Sequence, residues 1–211
     1  PTAASWVSVV NKTFGINTFN ITGFSGSNLN DFNMTTPTSS STGYLSRLAL
    51  APINLQQGGV YPANTTRSST TSRQYQCVWI DFNNNGLFED AEAVTPVGGS
   101  SPLTSVIASP FNFNITIPLT AAPGLHLMRI RGVWESSATT IGVVPSIIHP
   151  CNINNGGNPS YFSGNVVDYY VNIVPMPPTL YRAPTSLSFA ATTAGSPSTP
   201  LTFTTNGLNL T

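Results

Sequence analysis

Proline and glycine decide the fold class. Eighteen prolines and seventeen glycines are spread through the 211 residues, so a breaker interrupts nearly every stretch before a helix of ordinary length can form. Between the breaks stand short runs rich in β-branched and aromatic residues, the composition of strands. Such runs predict strands at 5–10, 18–24, 44–50, 59–67, 74–82, 111–119, 125–134 and 165–174. Eight strands with turn-rich spacers predict an all-β chain, an antiparallel β-sandwich of jelly-roll-like type.

Alternation assigns faces. In FNFNITIPL, residues 111–119, Phe111, Phe113, Ile115 and Ile117 share one side, and Asn112, Asn114 and Thr116 share the other, as in a half-buried strand. In LHLMRIRGVW, residues 125–134, Arg129 and Arg131 alternate with apolar neighbours. A buried arginine needs an anionic partner, and Asp168 is the natural one for Arg129 or Arg131, as a structural ion pair. Near residue 175 the texture changes. PMPP opens a Pro-rich linker over 175–183, and residues 184–211 hold two more strands, SLSFA and LTFTT. Two strands are too few to be stable alone. They are expected either to begin a truncated domain or to complete a sheet elsewhere.

Charge is scarce, at 7% of residues, with a net of zero. The seven cations are scattered, which argues against nucleic acid as a partner because phosphate binding needs clustered Lys and Arg. No apolar run reaches the roughly 20 residues of a membrane span. The chain opens on Pro1 rather than Met, and is expected to be a processed or trimmed segment. Cys77 and Cys151 are the two cysteines. In an extracellular setting an even count favours a disulfide, with two buried thiols as the alternative. Six Asn-x-Ser/Thr sequons occur, at Asn11, Asn20, Asn33, Asn64, Asn114 and Asn209.

Against that background one loop stands out. Four of the seven acids fall within twelve positions: Asp81, Glu89, Asp90 and Glu92. Asp81, Asn83, Asn85, Gly86 and Glu92 match the D-x-[DN]-x-[DN]-G-x5-E spacing of a calcium loop. Calcium takes six to eight oxygens, and this spacing delivers them from alternate positions around one ion. The expected ligands for Ca2+ are the side chains of Asp81, Asn83, Asn85, Glu89 and Glu92 and the carbonyl of Leu87. The flanks read as strand rather than helix, so the loop would lie between strands. The plain alternative is a solvated acidic turn.

Catalytic groups are few. His126 and His149 are the only histidines, there is no G-x-S-x-G elbow, and HPC at 149–151 lacks further zinc ligands at suitable spacing. The chain is therefore expected not to be an enzyme.

Several segments together resemble the GEVED domain of secreted bacterial proteins. VWIDFNNNGLFEDAEAV is similar to the family's signature strand and acidic loop, and LHLMRIRGVW to its TRMRV strand. INLQQGGVYP is similar to its L-x-x-G-x-x-Y strand entry. YFSGNVVDYYVNIV, after the PC at 150–151, matches the terminal Y-G-E-V-E-D-Y-T-V-N-I at Gly164, Val166, Asp168, Tyr169, Val171, Asn172 and Ile173. The family's two glutamates are replaced by Asn165 and Val167. The resemblance covers roughly residues 5 to 174, and the tail from Pro184 resembles the start of an Ig-like domain. It implies an accessory β-sandwich in a large secreted or surface protein, beside adhesive or protease modules.

Two functions follow as expectations. One is a non-catalytic, calcium-stabilised structural or adhesive module of a surface protein or extracellular filament, with terminal strands pairing to copies of itself or to neighbouring modules. The other is a carbohydrate-binding module accessory to a secreted enzyme or adhesin, with glycans held on Tyr161, Phe162, Tyr169, Tyr170, Trp79 or Trp134.

Overall fold

In a computed structural model, the structure describes residues 15–32, 34, 43–67, 74–94, 110–134, 150, 163–177, 179–183, 188, 191, 193–197, 199–202 and 204–208. The chain divides into two compact units, Pro1–Val174 and Pro175–Thr211.

The first unit is a β-sandwich. One sheet holds β1 (Ile16–Thr22), β2 (Asn28–Asp31), β5 (Val60–Arg67) and β7 (Phe111–Thr116) in the order β2-β1-β5-β7, antiparallel throughout. The other holds β3 (Tyr44–Ser46), β4 (Ile53–Gln56), β6 (Gln74–Ile80), β8 (Gly124–Trp134) and β9 (Ser163–Val174). Here β6, β8 and β9 are antiparallel neighbours. The short β3 and β4 follow one another along the free edge of β9, and both run parallel to it. The expected antiparallel sandwich thus stands as a sandwich with one mixed sheet.

Alternation drives the packing. Phe19, Ile21, Phe113 and Ile115 from one sheet meet Val78, Ile80, Met128, Ile130, Val167, Tyr169 and Val171 from the other in one apolar core. Phe19 sits at the centre, stacked on Phe113 at 6.5 Å and tilted against Tyr169 at 5.7 Å. The core side of residues 111–117 is the one the alternation assigns, with Phe113, Ile115 and Ile117 buried.

Polar groups stitch the sheets together. Asn165 reaches across the sandwich: its Oδ1 accepts from the Ile16 amide at 2.9 Å, and its Nδ2 donates to the carbonyls of Ile16 (2.8 Å) and Met34 (2.9 Å). The space it uses exists because a Cβ on Gly15 would lie 2.7 Å from its Oδ1, and one on Gly132 would lie 2.8 Å from Ile16 Cγ1. Thr65 donates to Gln76 Oε1 nearby. Further along, Tyr169 donates to Asp31 Oδ2 at 2.9 Å, and Arg47 donates to the same oxygen at 2.8 Å. Burial first, and then the charge of Asp31, push the Tyr169 phenol well above its ordinary value.

Some boundaries differ from the sequence reading. The segment expected as a strand over 44–50 stops at Ser46, because Arg47 turns away to pair with Asp31 and Leu50 closes a turn on the Arg47 carbonyl. β2 and β4 are too short for periodicity to reveal. In the second unit β10 (Thr179–Ala183) lies inside the span read as a linker, and pairs antiparallel with β11 (Thr204–Leu208). Of the strands read at 186–190 and 201–205, only the end of the second overlaps an observed strand, and most of the first lies outside the described residues. The strand read at 5–10 lies outside them as well.

Two outcomes are expected. Asn165→Ala removes three buried hydrogen bonds to the backbone and should cost about 3 kcal/mol in chemical denaturation. Because folding raises the Tyr169 pKa, its contribution is complete below its unfolded pKa of about 10 and is lost as pH rises toward the folded value. Tyr169→Phe should therefore flatten the alkaline fall in unfolding midpoint, at about 1 kcal/mol of stability near neutral pH.

Candidate functional site

The acidic loop begins where β6 ends. Its root is fixed by backbone: the Asp81 amide donates to the Leu127 carbonyl at 2.9 Å, and Val94 returns to bond the Val78 carbonyl at 2.8 Å beside a Trp79–Ala93 bridge. His126, fully buried, braces the same point. Its Nδ1 lies 2.8 Å from the Asp81 carbonyl oxygen and its Nε2 lies 2.7 Å from that of Ala122.

Between these anchors the side-chain oxygens organise the backbone. Asp81 accepts from the amides of Asn85 (3.1 Å) and Gly86 (2.9 Å). Asn83 accepts from Asn85 at 2.9 Å, and Asn85 from Leu87 at 2.7 Å. Glu92 takes the amides of Phe82 (2.9 Å) and Asn83 (3.4 Å) on one oxygen and that of Glu89 (3.1 Å) on the other. The Glu89 carboxylate holds the side-chain amides of Asn83 and Asn85, at 3.2 and 3.3 Å. Gly86 sits at φ +78°, a conformation side-chain-bearing residues rarely adopt, with open space where a Cβ would be.

Hydrogen bonds thus gather the expected ligands Asp81, Asn83, Asn85, Glu89 and Glu92 into one knot, with Leu87 on the same turn. Asp81 and Glu92 are buried, whereas Asn83, Asn85, Leu87 and Glu89 are exposed. Burial, with a smaller contribution from the Asp81 charge, raises the Glu92 pKa even though three backbone amides pull the other way. Among the described residues, no three His, Cys, Asp or Glu side chains are placed to hold a metal ion together. A calcium site here would lean on the amide oxygens of Asn83 and Asn85 and on the Leu87 carbonyl. Those are oxygen donors of the kind calcium takes, so the donor chemistry fits.

The loop also covers something. On the sheet face away from the core, Arg129 stands between its cross-strand partners Trp79 and Asp168. It is 1% exposed, and donates from Nε to Asp168 Oδ1 at 2.7 Å and from Nη2 to Oδ2 at 2.6 Å. Its Nη1 reaches the Pro150 carbonyl at 3.3 Å. Tyr44 adds a bond to Asp168 at 3.2 Å. The Phe88 ring, carried by the acidic loop, lies under the guanidinium at 4.7 Å from centroid to Cζ. Arg131 is buried too, one alternate position along β8 and opposite Cys77 and Val166. Phe88 is the member that sequence reasoning missed. An aromatic two residues past the loop glycine is the signal that was there to read.

Other candidates distribute differently. Trp79 and Tyr169 are buried, at 2% and 1% exposure, and so cannot form a sugar platform. Tyr170 is half-buried. Tyr161, Phe162, Cys151 and His149 lie outside the described residues, as does the Trp134 side chain. Cys77 is buried in β6, and its expected bridge to Cys151 runs to a residue outside the described set.

Removing the Asp168 charge strands a buried guanidinium. Asp168→Ala should cost about 3–5 kcal/mol, and Arg129→Met combined with Asp168→Leu should recover most of that loss. Equilibrium denaturation of both variants checks it.

No curated protein sequence matches the chain. Residues 75–172 match the model of the GEVED domain. The match opens in β6, takes in the acidic loop, β7 and the Arg129 strand, and closes in β9, two residues short of that strand's end. Residues 75–172 therefore belong to the GEVED domain family.

Proposed function

We propose that this chain is a non-catalytic structural module of a secreted or cell-surface protein, bacterial like the family it resembles, and that calcium held in the Asp81–Glu92 loop stabilises it. One observation carries the calcium reading. Two buried carboxylates, Asp81 and Glu92, take all their observed hydrogen bonds from backbone amides. Buried anions ordinarily pair with a cation or a metal, and a divalent ion would supply that charge. Asp81, Glu92, Asn83, Asn85, Glu89 and the Leu87 carbonyl would hold it.

The ion's role would be mechanical. Ordering the loop seats Phe88 beneath Arg129 and keeps water off the Arg129–Asp168 pair. This supports a rigid module used in adhesion or in an extracellular filament, in which terminal strands such as β10 and β11 pair with neighbouring modules or other copies. The scarcity of charge across the chain favours the same setting.

Thermal unfolding of the full chain tests the ion. Millimolar calcium at about a hundred times Kd should add about 2.7 kcal/mol, a rise of roughly 5–10 °C over the chelator-treated protein for a chain of this size. Asp81→Asn together with Glu92→Gln should remove the rise. A midpoint indifferent to calcium would reduce the loop to an acidic turn.

A further inference from the structure

The outer face of the β2-β1-β5-β7 sheet carries a grid of amides. Asn30 pairs with Asn20, Asn20 with Asn64, and Asn64 with Asn112, so one row of four asparagines crosses all four strands. Asn28 and Asn114 stand one alternate position along the edge strands, and Thr18 faces Thr66 with the two hydroxyls 2.7 Å apart. Burial alternates strictly along β7, leaving Asn112, Asn114 and Thr116 exposed. No acid, lysine, arginine or histidine occupies this face among the described residues of the four strands' outward positions. All three sequons that fall on described residues, at Asn20, Asn64 and Asn114, lie on it.

The grid does not satisfy itself. Asn20 Nδ2 donates to Asn64 Oδ1 at 3.1 Å, but Asn20 Oδ1 is shielded from solvent with no partner. An acceptor so placed is a standing cost, removed when a donor reaches it through a small turn of the amide. Beside it a shallow groove of about 530 Å³ runs over Thr22, Pro62, Asn64, Asn112, Phe113 and Asn114, within the size range of small-molecule sites.

We infer that this amide face binds a neutral polysaccharide. Each amide offers a donor and an acceptor side by side, which suits hydroxyls that also do both. Without charge the face has no hold on nucleic acid or on acidic polymers. Rows one strand apart and residues two apart along a strand repeat at roughly 5 and 7 Å, the scale of successive sugar rings. Among the described outward positions no aromatic side chain is available for stacking, Phe113 pointing to the core, so each contact is weak and affinity comes from repetition along the ligand chain. This inference is independent of the calcium reading.

Affinity electrophoresis of the full chain in native gels tests it, with soluble β-glucan, galactomannan and xylan as neutral probes and polygalacturonate as the acidic one. At least one neutral polymer should retard the protein and polygalacturonate should not. Asn64→Ala, Asn112→Ala and Asn114→Ala combined should weaken retardation about tenfold, with a melting temperature only roughly 2–4 °C lower for the lost Asn20–Asn64 bond. Retardation by none of the neutral polymers would overturn the inference, as would retardation that the triple variant leaves intact. Concentration-dependent dimers of the wild type that the triple variant dissolves, without retardation, would assign the face to a second copy and also overturn it.

Discussion

A guanidinium buried in the face of a β-sheet must be met by an anion and then kept dry. Arg129 is met by both oxygens of Asp168 from the neighbouring strand, in register, at 2.7 and 2.6 Å. Such a pair gains little net stability over apolar side chains but is costly to break, so the surroundings are obliged to protect it. This explains why the sheet of β3, β6, β8 and β9 is buried on both faces, unlike its partner. It also explains why VWI in β6 and VVDYYV in β9 read as near-continuous apolar runs instead of an alternation. Tyr44, bonded to Asp168 from β3, covers the pair from that edge of β9.

The cover on the opposite side depends on the acidic loop. Phe88 reaches the guanidinium only if residues 81–92 hold their turn, and the turn is held by side-chain oxygens on backbone amides. The loop's acids therefore act first on their own backbone and, through Phe88, on an ion pair elsewhere in the sheet. In the calcium reading the ion would reinforce that same chain of contacts. The anchoring of His126 to the Asp81 carbonyl shows that the protein itself fixes the loop root.

The sequence made the sandwich and its long strands legible because proline and glycine spacing excludes helices and alternation marks faces. Residues 111–117 show this best. The acidic loop was legible because its charges stand out in a chain nearly without them. What could not be read were features set by tertiary contacts. β4 exists because the edge of β9 offers it a parallel partner, and nothing local in four residues announces that. Trp79 and Tyr169 look like available aromatics in sequence, yet they lie on the two faces of a sheet covered on both sides. Asn165 looks like the loss of a family glutamate. In the fold it is the residue that ties β9 to the backbone of Ile16 and Met34, through space left by Gly15 and Gly132.

The distribution of charge also sets the two sheets apart. Asp31 and Arg47 pair with each other, Asp168 pairs with Arg129, and four of the remaining acids lie in or beside one loop. The Asp31–Arg47 pair sits at the seam between the sheets, where Tyr169 meets it, and the Arg129–Asp168 pair on the covered face. At its described outward positions the face of the β2-β1-β5-β7 sheet carries amides and hydroxyls, with Val60 and Pro62 beside them and no charge. An exposed sheet face usually carries lysine and glutamate, which suit water and repel copies of the same chain. A face of asparagine forgoes that repulsion, yet stays wet because its exposed amides can bond water. Such a surface discriminates little by charge and strongly by hydrogen-bond pattern, the property that the proposed uncharged, hydroxyl-rich partner would require.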